Sequence, residues 1–290
     1  QIERVVVSSD IQLQSRLLSV LASQNIGLVV INPRRPDESG VLIGNGHGDA
    51  ERRIRQFRAS EDDAFCTRFA RELVKLKVNG QKALLEQKRE QRPEHRKRLT
   101  DAIDTLNRAW TRLSNDPLNV KSIRGIEGAG AAAYFQGYSA LFPLSMHFNH
   151  RNRRPPRDPV NALLSLSYTL GHSLGVYLLQ RRGFETLIGF YHRASYSRPS
   201  LSSDIIEPVR PTIDEWVLEM VNSQQLRAEH FRNSNGGCLL DKSGRRTFYK
   251  CWETEMKSKL IEQLNEVIKQ MMQMLGEKDS SLGDDATTTL

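Results

Sequence analysis

The sequence predicts an α+β fold that is mostly α, with a small strand-containing module ahead of a long helical region. Three observations predict it. The short β-branched runs at residues 5–7 and 28–31 lie near the start, Gly and Pro crowd the segment that follows them, and from Arg52 onward apolar residues recur at helical spacing. Between the two runs, Leu13, Leu17, Leu18 and Leu21 fall on one helical face. Pro33, Pro36, Gly40, Gly44, Gly46 and Gly48 then punctuate the chain, which sets a boundary near residue 50.

Beyond it, Phe57, Phe65, Phe69, Leu73 and Leu76 supply a helical face. Residues 88–98 are so rich in charge that they belong in solvent, with a bend at Pro93. Another helix begins over 99–113, and 129–141 is a helix of small residues that a neighbour can approach closely. A basic, Pro-rich loop occupies 147–159. Helices resume from Val160, with interruptions at 196–199 and 233–237. No internal repeat is present.

With 290 residues and 38% hydrophobic content, the chain can bury a sizeable core. The net charge of +8 stands beside 34 acidic residues, so the basic excess is local and favours a polyanionic partner. Cys66, Cys238 and Cys251 are odd in number and far apart, which supports neither a disulfide framework nor a C-x-x-C zinc pair. A reducing cytoplasm is the expected compartment. The apolar stretch 160–179 is interrupted by Asn161, Ser165, Ser167, Thr169, His172 and Ser173, a composition for a buried core helix and not for one in lipid. No membrane partner is expected.

Three residues carry the chemistry: Glu127 in R-G-I-E-G-A-G, His192 in G-F-Y-H-R and Glu207 in D-I-I-E-P-V-R-P. Two carboxylates and one imidazole suit a hard divalent cation, the usual tool of phosphodiester chemistry. Each has a plainer reading. Glu127, placed at a Gly-flanked entry to the Ala-rich helix, also complements a helix dipole. His192 also suits a packed, hydrogen-bonded position, and Glu207 also pairs with Arg210 on a helix surface. Ser200 is placed to cap the helix that brings Asp204 and Glu207, three residues apart, onto one face.

Other features are weaker. The loop G-N-G-H-G at 44–48 lacks the Lys-Ser/Thr of a phosphate-binding loop. His147 and His150 have no Cys or carboxylate pattern to complete a zinc site. The arginines Arg151, Arg153, Arg154 and Arg157, held extended by prolines, read first as phosphate binders, with a solvated loop or a subunit contact as the plainer reading.

The chain resembles the CRISPR-associated spacer-acquisition integrase family, the first of the Cas proteins. R-G-I-E-G-A-G-A-A-A-Y-F from Arg124, P-P-R-D-P-V-N-A-L-L-S from Pro155 and I-G-F-Y-H-R-A-S-Y-S-R-P-S-L-S-S-D-I-I-E-P-V-R-P from Ile188 carry the likeness, in the family's order. G-G-C-L-L-D-K-S-G-R-R-T-F extends it. The resemblance implies a partial N-terminal β-domain over 1–50 and an α-helical metal-dependent catalytic domain over 51–275, and the Asp-, Ser- and Thr-rich composition of 276–290 predicts a disordered tail. It implies Mg2+ or Mn2+ held by Glu127, His192 and Glu207, with Asp204 as a supporting acid. The implied activity is metal-dependent DNA integration and nicking in a prokaryotic cytoplasm. Implied partners are DNA, a second copy in a homodimer and the small second Cas adaptation protein. Two departures stand out: Pro208 follows Glu207 and kinks the helix locally, and the chain starts partway through the family's β-domain. That start fits a truncated chain or one in which a fused reverse transcriptase precedes it.

Overall fold

The computed structural model of the chain describes residues 4–276 apart from 25, 32–39, 43–48, 153–154, 194–195 and 235. Strands β1 (Arg4–Val7) and β2 (Gly27–Val30) pair in parallel, Val5 opposite Leu28 and Val7 opposite Val30. A parallel pair needs a crossover, and α1 (Ser15–Ser23) supplies it. Strand β3 (Gly40–Leu42) adds antiparallel to β2, giving the order β1-β2-β3. This module has its own small core of Val7, Leu21 and Leu28. The G-N-G-H-G loop lies outside the described residues.

Side-chain caps set where the helices begin. Asp49 accepts from the Arg52 amide at 2.8 Å to start α2 (Ala50–Glu61), and Asp62 accepts from the Ala64 amide at 2.8 Å to start α3 (Asp63–Gln91). The break between them divides the expected apolar face. Phe65, Phe69 and Leu73 are buried on α3, whereas Phe57 and Leu76 are exposed. Pro93 opens a 3-10 turn, Pro93–His95, that separates α3 from α4 (Arg96–Asn115), and the charged residues around it face solvent.

Asn119 caps α5 (Val120–Ser139), so this helix begins nine residues before the small-residue run at 129. Gly125 and Gly128, which suggested a turn, sit inside it. Helices α3, α4 and α5 pack together through Leu73, Leu85, Leu99, Leu106, Ile123 and Tyr134.

Asp158 caps α6 (Pro159–Arg181), with Pro159 in the first turn where its missing N–H costs nothing. By length and composition α6 could cross a membrane, but 72% of its apolar window is buried inside this chain. It packs against α7 (Ser200–Ile206), α8 (Arg210–Asn222) and α10 (Lys257–Met274). Gly80 brings α3 onto α8, for a Cβ there would lie 3.0 Å from Pro211 Cγ.

The interruption expected at 233–237 falls within an antiparallel strand pair, β4 (Phe231–Ser234) and β5 (Gly237–Leu240). Helix α9 (Lys242–Cys251) runs through a π turn, Trp252–Met256, into α10. The three cysteines are free and buried. Residues 277–290, expected to be a disordered tail, lie outside the described residues.

Candidate active site

Glu127 lies in the middle of α5, remote from its first turn, so the helix-dipole reading falls away. Its carboxylate meets Glu207 across a residue that sequence reasoning missed. The Lys77 ammonium, from α3, donates to Glu207 Oε2 at 2.6 Å and to Glu127 Oε1. Glu207 Oε1 accepts from Arg210 at 2.9 Å, the partner expected from their spacing but in a buried position and not on a helix surface, while Glu127 Oε2 accepts from the Tyr191 hydroxyl. Lys77 and Glu207 are both buried.

Pro208 has the predicted local effect. Helix α7 ends at Ile206, Glu207–Val209 forms a tight 3-10 turn, and α8 follows. The two acids three residues apart therefore serve different partners: Glu207 faces α3, whereas Asp204 faces the segment that carries His192. Ser200 is inside the first turn of α7, where its hydroxyl donates to the Arg193 carbonyl at 3.0 Å and does not cap the helix.

His192 is on a non-helical segment that is pinned from two sides. From α2, the buried Gln56 donates to the Glu185 and Ile188 carbonyls, each at 2.7 Å, and accepts from the Glu185 amide at 2.9 Å. From α7, Asp204 Oδ2 accepts from the Phe190 amide at 2.7 Å and the Tyr191 amide at 3.0 Å. Its Oδ1 accepts from the His192 amide at 2.8 Å and lies 2.7 Å from His192 Nδ1. A Cβ at residue 189 would lie 2.8 Å from Asp204 Oδ2, so glycine is what lets this carboxylate seat under the turn. Arg124 donates to the Tyr191 carbonyl, and its guanidinium stands 5.4 Å from the Tyr191 ring centre. Asp204 thus fixes the ring through Nδ1, the arrangement in which a carboxylate orients an imidazole that binds metal through its other nitrogen.

Burial alone would raise the Glu207 carboxyl, but Arg210 and then Lys77 override it and hold it at about 2. Burial, with Glu127 beside it, pushes the Tyr191 phenol far up, so it stays a donor to that carboxylate. One shell away, the Arg210 guanidinium stacks 4.7 Å from the Tyr168 ring centre. Tyr168 donates to Asp214, as does Tyr134 at 2.9 Å.

The donor set fits a hard divalent cation in kind: two carboxylates that converge on one cation and a braced imidazole nearby. Among the described residues, however, no three His, Cys, Asp or Glu side chains converge on one point. The ammonium of Lys77 occupies the place between Glu127 and Glu207.

The arginine loop is divided. Arg151 turns inward, donating to Asn161 Oδ1 at 2.7 Å and Ser165 Oγ at 3.0 Å with its guanidinium 5.5 Å from the Tyr168 ring centre. Its planar group ties the loop to α6, a structural role that the phosphate-binding expectation did not include. Arg157 is exposed, and Arg153 and Arg154 lie outside the described residues.

Comparison with known proteins bears on this geometry. The family described as CRISPR associated protein Cas1 matches residues 1–254. A CRISPR-associated endonuclease Cas1 of Thermodesulfovibrio yellowstonii is 35% identical over 280 residues, 96% of this chain and 87% of that protein. Among solved structures, a CAS1 protein from Thermotoga maritima superposes with a TM-score of 0.79 at 22% identity, covering 97% of this chain and 89% of that one. A casposase bound to integration product gives 0.78 at 18% identity, over 97% and 80% of the two chains. A chain of a Cas6-RT-Cas1–Cas2 complex gives 0.78 at 23%, over 96% of this chain and 31% of that one. These structural likenesses establish the mostly α, α+β fold. With the family matched over most of its length and a relative above 30% identity along nearly all of it, this chain belongs to the CRISPR associated protein Cas1 family.

Proposed function

We propose that the chain is a DNA integrase and endonuclease of CRISPR adaptation, joining the 3′-hydroxyl of a captured DNA fragment to a phosphodiester at the border of a CRISPR repeat. One observation carries the reading: Glu127 and Glu207, from separate elements, meet at one buried cation beside an imidazole braced by Asp204. Glu127, Glu207 and His192 would hold Mg2+ or Mn2+. Such an ion, when bound, lowers the pKa of the attacking hydroxyl, polarises the phosphoryl oxygen and offsets charge gained in the transition state.

The chain's own residues do the rest. Asp204 fixes the His192 ring, Tyr191 donates to Glu127, and Arg210 keeps Glu207 ionised and aimed. Arg157, with Arg153 and Arg154, holds backbone phosphates without reading sequence. Water in place of the 3′-hydroxyl gives nicking by the same groups. The names of the relatives support this reading: one is an endonuclease, one was captured with an integration product, and one was solved in a complex with Cas2. The proposed assembly is a homodimer, two of which are bridged by the small second Cas protein. A reverse transcriptase in the same polypeptide is checked by the coding sequence upstream of Gln1.

A second reading, a non-catalytic DNA-binding scaffold, draws on the same contacts. Lys77 and Arg210 neutralise Glu127 and Glu207 and tie α3, α5 and α8 together with no ion required. Strand transfer and nicking with purified protein separate the two. Under the integrase reading both require Mg2+ or Mn2+, stop with chelator, and disappear in Glu127→Ala, which keeps its fold and most DNA affinity. Undiminished integration by Glu127→Ala would remove the reading, and DNA binding without turnover in any metal would favour the scaffold.

A further inference from the structure

We propose that Lys77 is the resident counter-cation of the Glu127–Glu207 pair, which a divalent ion must displace to bind, so that Lys77 sets the metal affinity of the site. The inference rests on the metal-dependent reading above and goes beyond it, because it assigns a role to a residue outside the ligand set.

Leu73, Val74, Lys77, Val78 and Gln81 form the buried stripe of α3, so Lys77 stands where a helix facing a core ordinarily carries an apolar side chain. Only 7% of its surface is exposed. A buried ammonium is retained only if it is paired, and this one is paired twice, to Glu207 Oε2 and Glu127 Oε1. The other oxygen of each carboxylate is already committed, to Arg210 on one side and Tyr191 on the other. The two oxygens that face each other therefore share a single donor.

Charge sharpens the point. Two carboxylates, one ammonium and one guanidinium are neutral together, so an ion entering with Lys77 in place would add two positive charges to a neutral, buried set and find its oxygen donors occupied. Removal of the ammonium leaves a net negative site with two vacant oxygens. Of the two cations, Lys77 is the one built to leave. Arg210 is locked by its stack on Tyr168 as well as by Glu207, whereas a lysine is a point charge on a flexible four-carbon stem.

The test is Mn2+ binding to metal-free protein by calorimetry, for the native chain, Lys77→Met and Lys77→Arg. Lys77→Met, similar in length but without charge, should bind Mn2+ at least about tenfold more tightly, and Lys77→Arg, whose fork grips both carboxylates, more weakly. Unchanged or weaker binding by Lys77→Met would overturn the proposal. Should Lys77→Met not fold, reductive methylation of the native protein, quantified at Lys77 by mass spectrometry, decides the question. Saturating Mn2+ should raise labelling at Lys77, and continued protection would overturn the inference. Glu207→Gln separates this failure from that of the underlying reading: if it binds Mn2+ as well as the native chain does, the metal site itself has been misassigned.

Discussion

Glu207 and Asp214 are both almost fully buried acids, seven residues apart on the path from the 3-10 turn into α8, yet their environments push them in opposite directions. Burial raises both. At Glu207 that penalty is overridden by Arg210 and Lys77, and the carboxyl is held at about 2. Asp214 receives hydroxyls where Glu207 receives cations: Tyr168 and Tyr134 donate to it, and burial still lifts it to about 6. The neighbours, and not depth, decide which of the two is a permanent anion. An anion fixed beside a braced histidine is equipped for chemistry, whereas an acid that holds its proton toward pH 6 among three tyrosines is equipped to join helices, as the Tyr138 hydroxyl on the Asp214 carbonyl at 2.7 Å also does.

The largest expected effect comes from neutralising each acid in turn. Glu207→Gln should lower metal-dependent strand transfer by about a hundredfold or more, because an amide cannot replace an anionic donor, and Asp204→Asn should cost about ten- to a hundredfold through a loosened His192 ring. Asp214→Asn should change activity only a few-fold. One assay across the three variants checks the ranking. A dead Asp204→Asn beside a nearly normal Glu207→Gln would move the ligand by one helical turn, and a dead, folded Asp214→Asn would break the contrast drawn here.

The two carboxyls also predict opposite pH limbs of stability. Asp214 is shifted from an ordinary 3.8 up to about 6, so the folded chain keeps a proton that the unfolded chain releases. Its contribution is complete below 3.8 and is lost, by about 3 kcal/mol, as pH rises through 6. Glu207 is held below its ordinary 4.5 by Arg210 and Lys77, so its contribution is present above 4.5 and lost as pH falls toward 2. In urea melts, Asp214→Asn should gain on the native chain between pH 4 and 6. Glu207→Gln should be at its greatest disadvantage above 4.5 and recover on acidification. Native and variant curves that run parallel across either window would remove the corresponding assignment.

Much of the fold was legible in the residues, whereas the pairing of Asp214 with its tyrosines was not, and what escaped did so for identifiable reasons. Both predicted strands of the first module form within a residue of their expected bounds, because β-branched runs flanked by polar residues leave little choice. The buried character of α6 followed from the polar residues that interrupt it. The start of α5 was displaced because Gly125 and Gly128 look like turn formers, while the Asn119 cap that sets the boundary is a single side chain. The β4–β5 hairpin had a signal, the Asn235-Gly236 step between short runs, that was read only as an interruption between helices. Lys77 and Gln56 were missed for a shared reason: each is a polar residue with a mainly tertiary role, and its partners lie more than a hundred residues away or on another helix. Continuing the stripe from Leu73 by four residues would have reached Lys77 instead of Leu76, and a lysine on a core-facing stripe is the signal that was available.

The smallest effect tests the cations of the arginine loop, which divide as the two acids do. Arg151 belongs to the Asp214 side: it stacks near Tyr168, bonds Asn161 and Ser165, and draws the Asp214 carboxyl partly back down. Arg157 is exposed and places no such demand on the core. Arg151→Ala should therefore cost about 1–2 kcal/mol of stability through the lost hydrogen bonds to Asn152, Asn161 and Ser165 while leaving the salt dependence of DNA binding nearly unchanged. Arg157→Ala should leave stability within about 0.5 kcal/mol and reduce the log–log salt slope by about one. Urea melts and DNA binding across a salt series read both. If Arg151→Ala instead flattens the salt slope at full stability, its guanidinium is given to phosphate and not to the tyrosine cluster, and the Asp214 region has to be redrawn with Arg210 as its neighbouring cation and without Arg151.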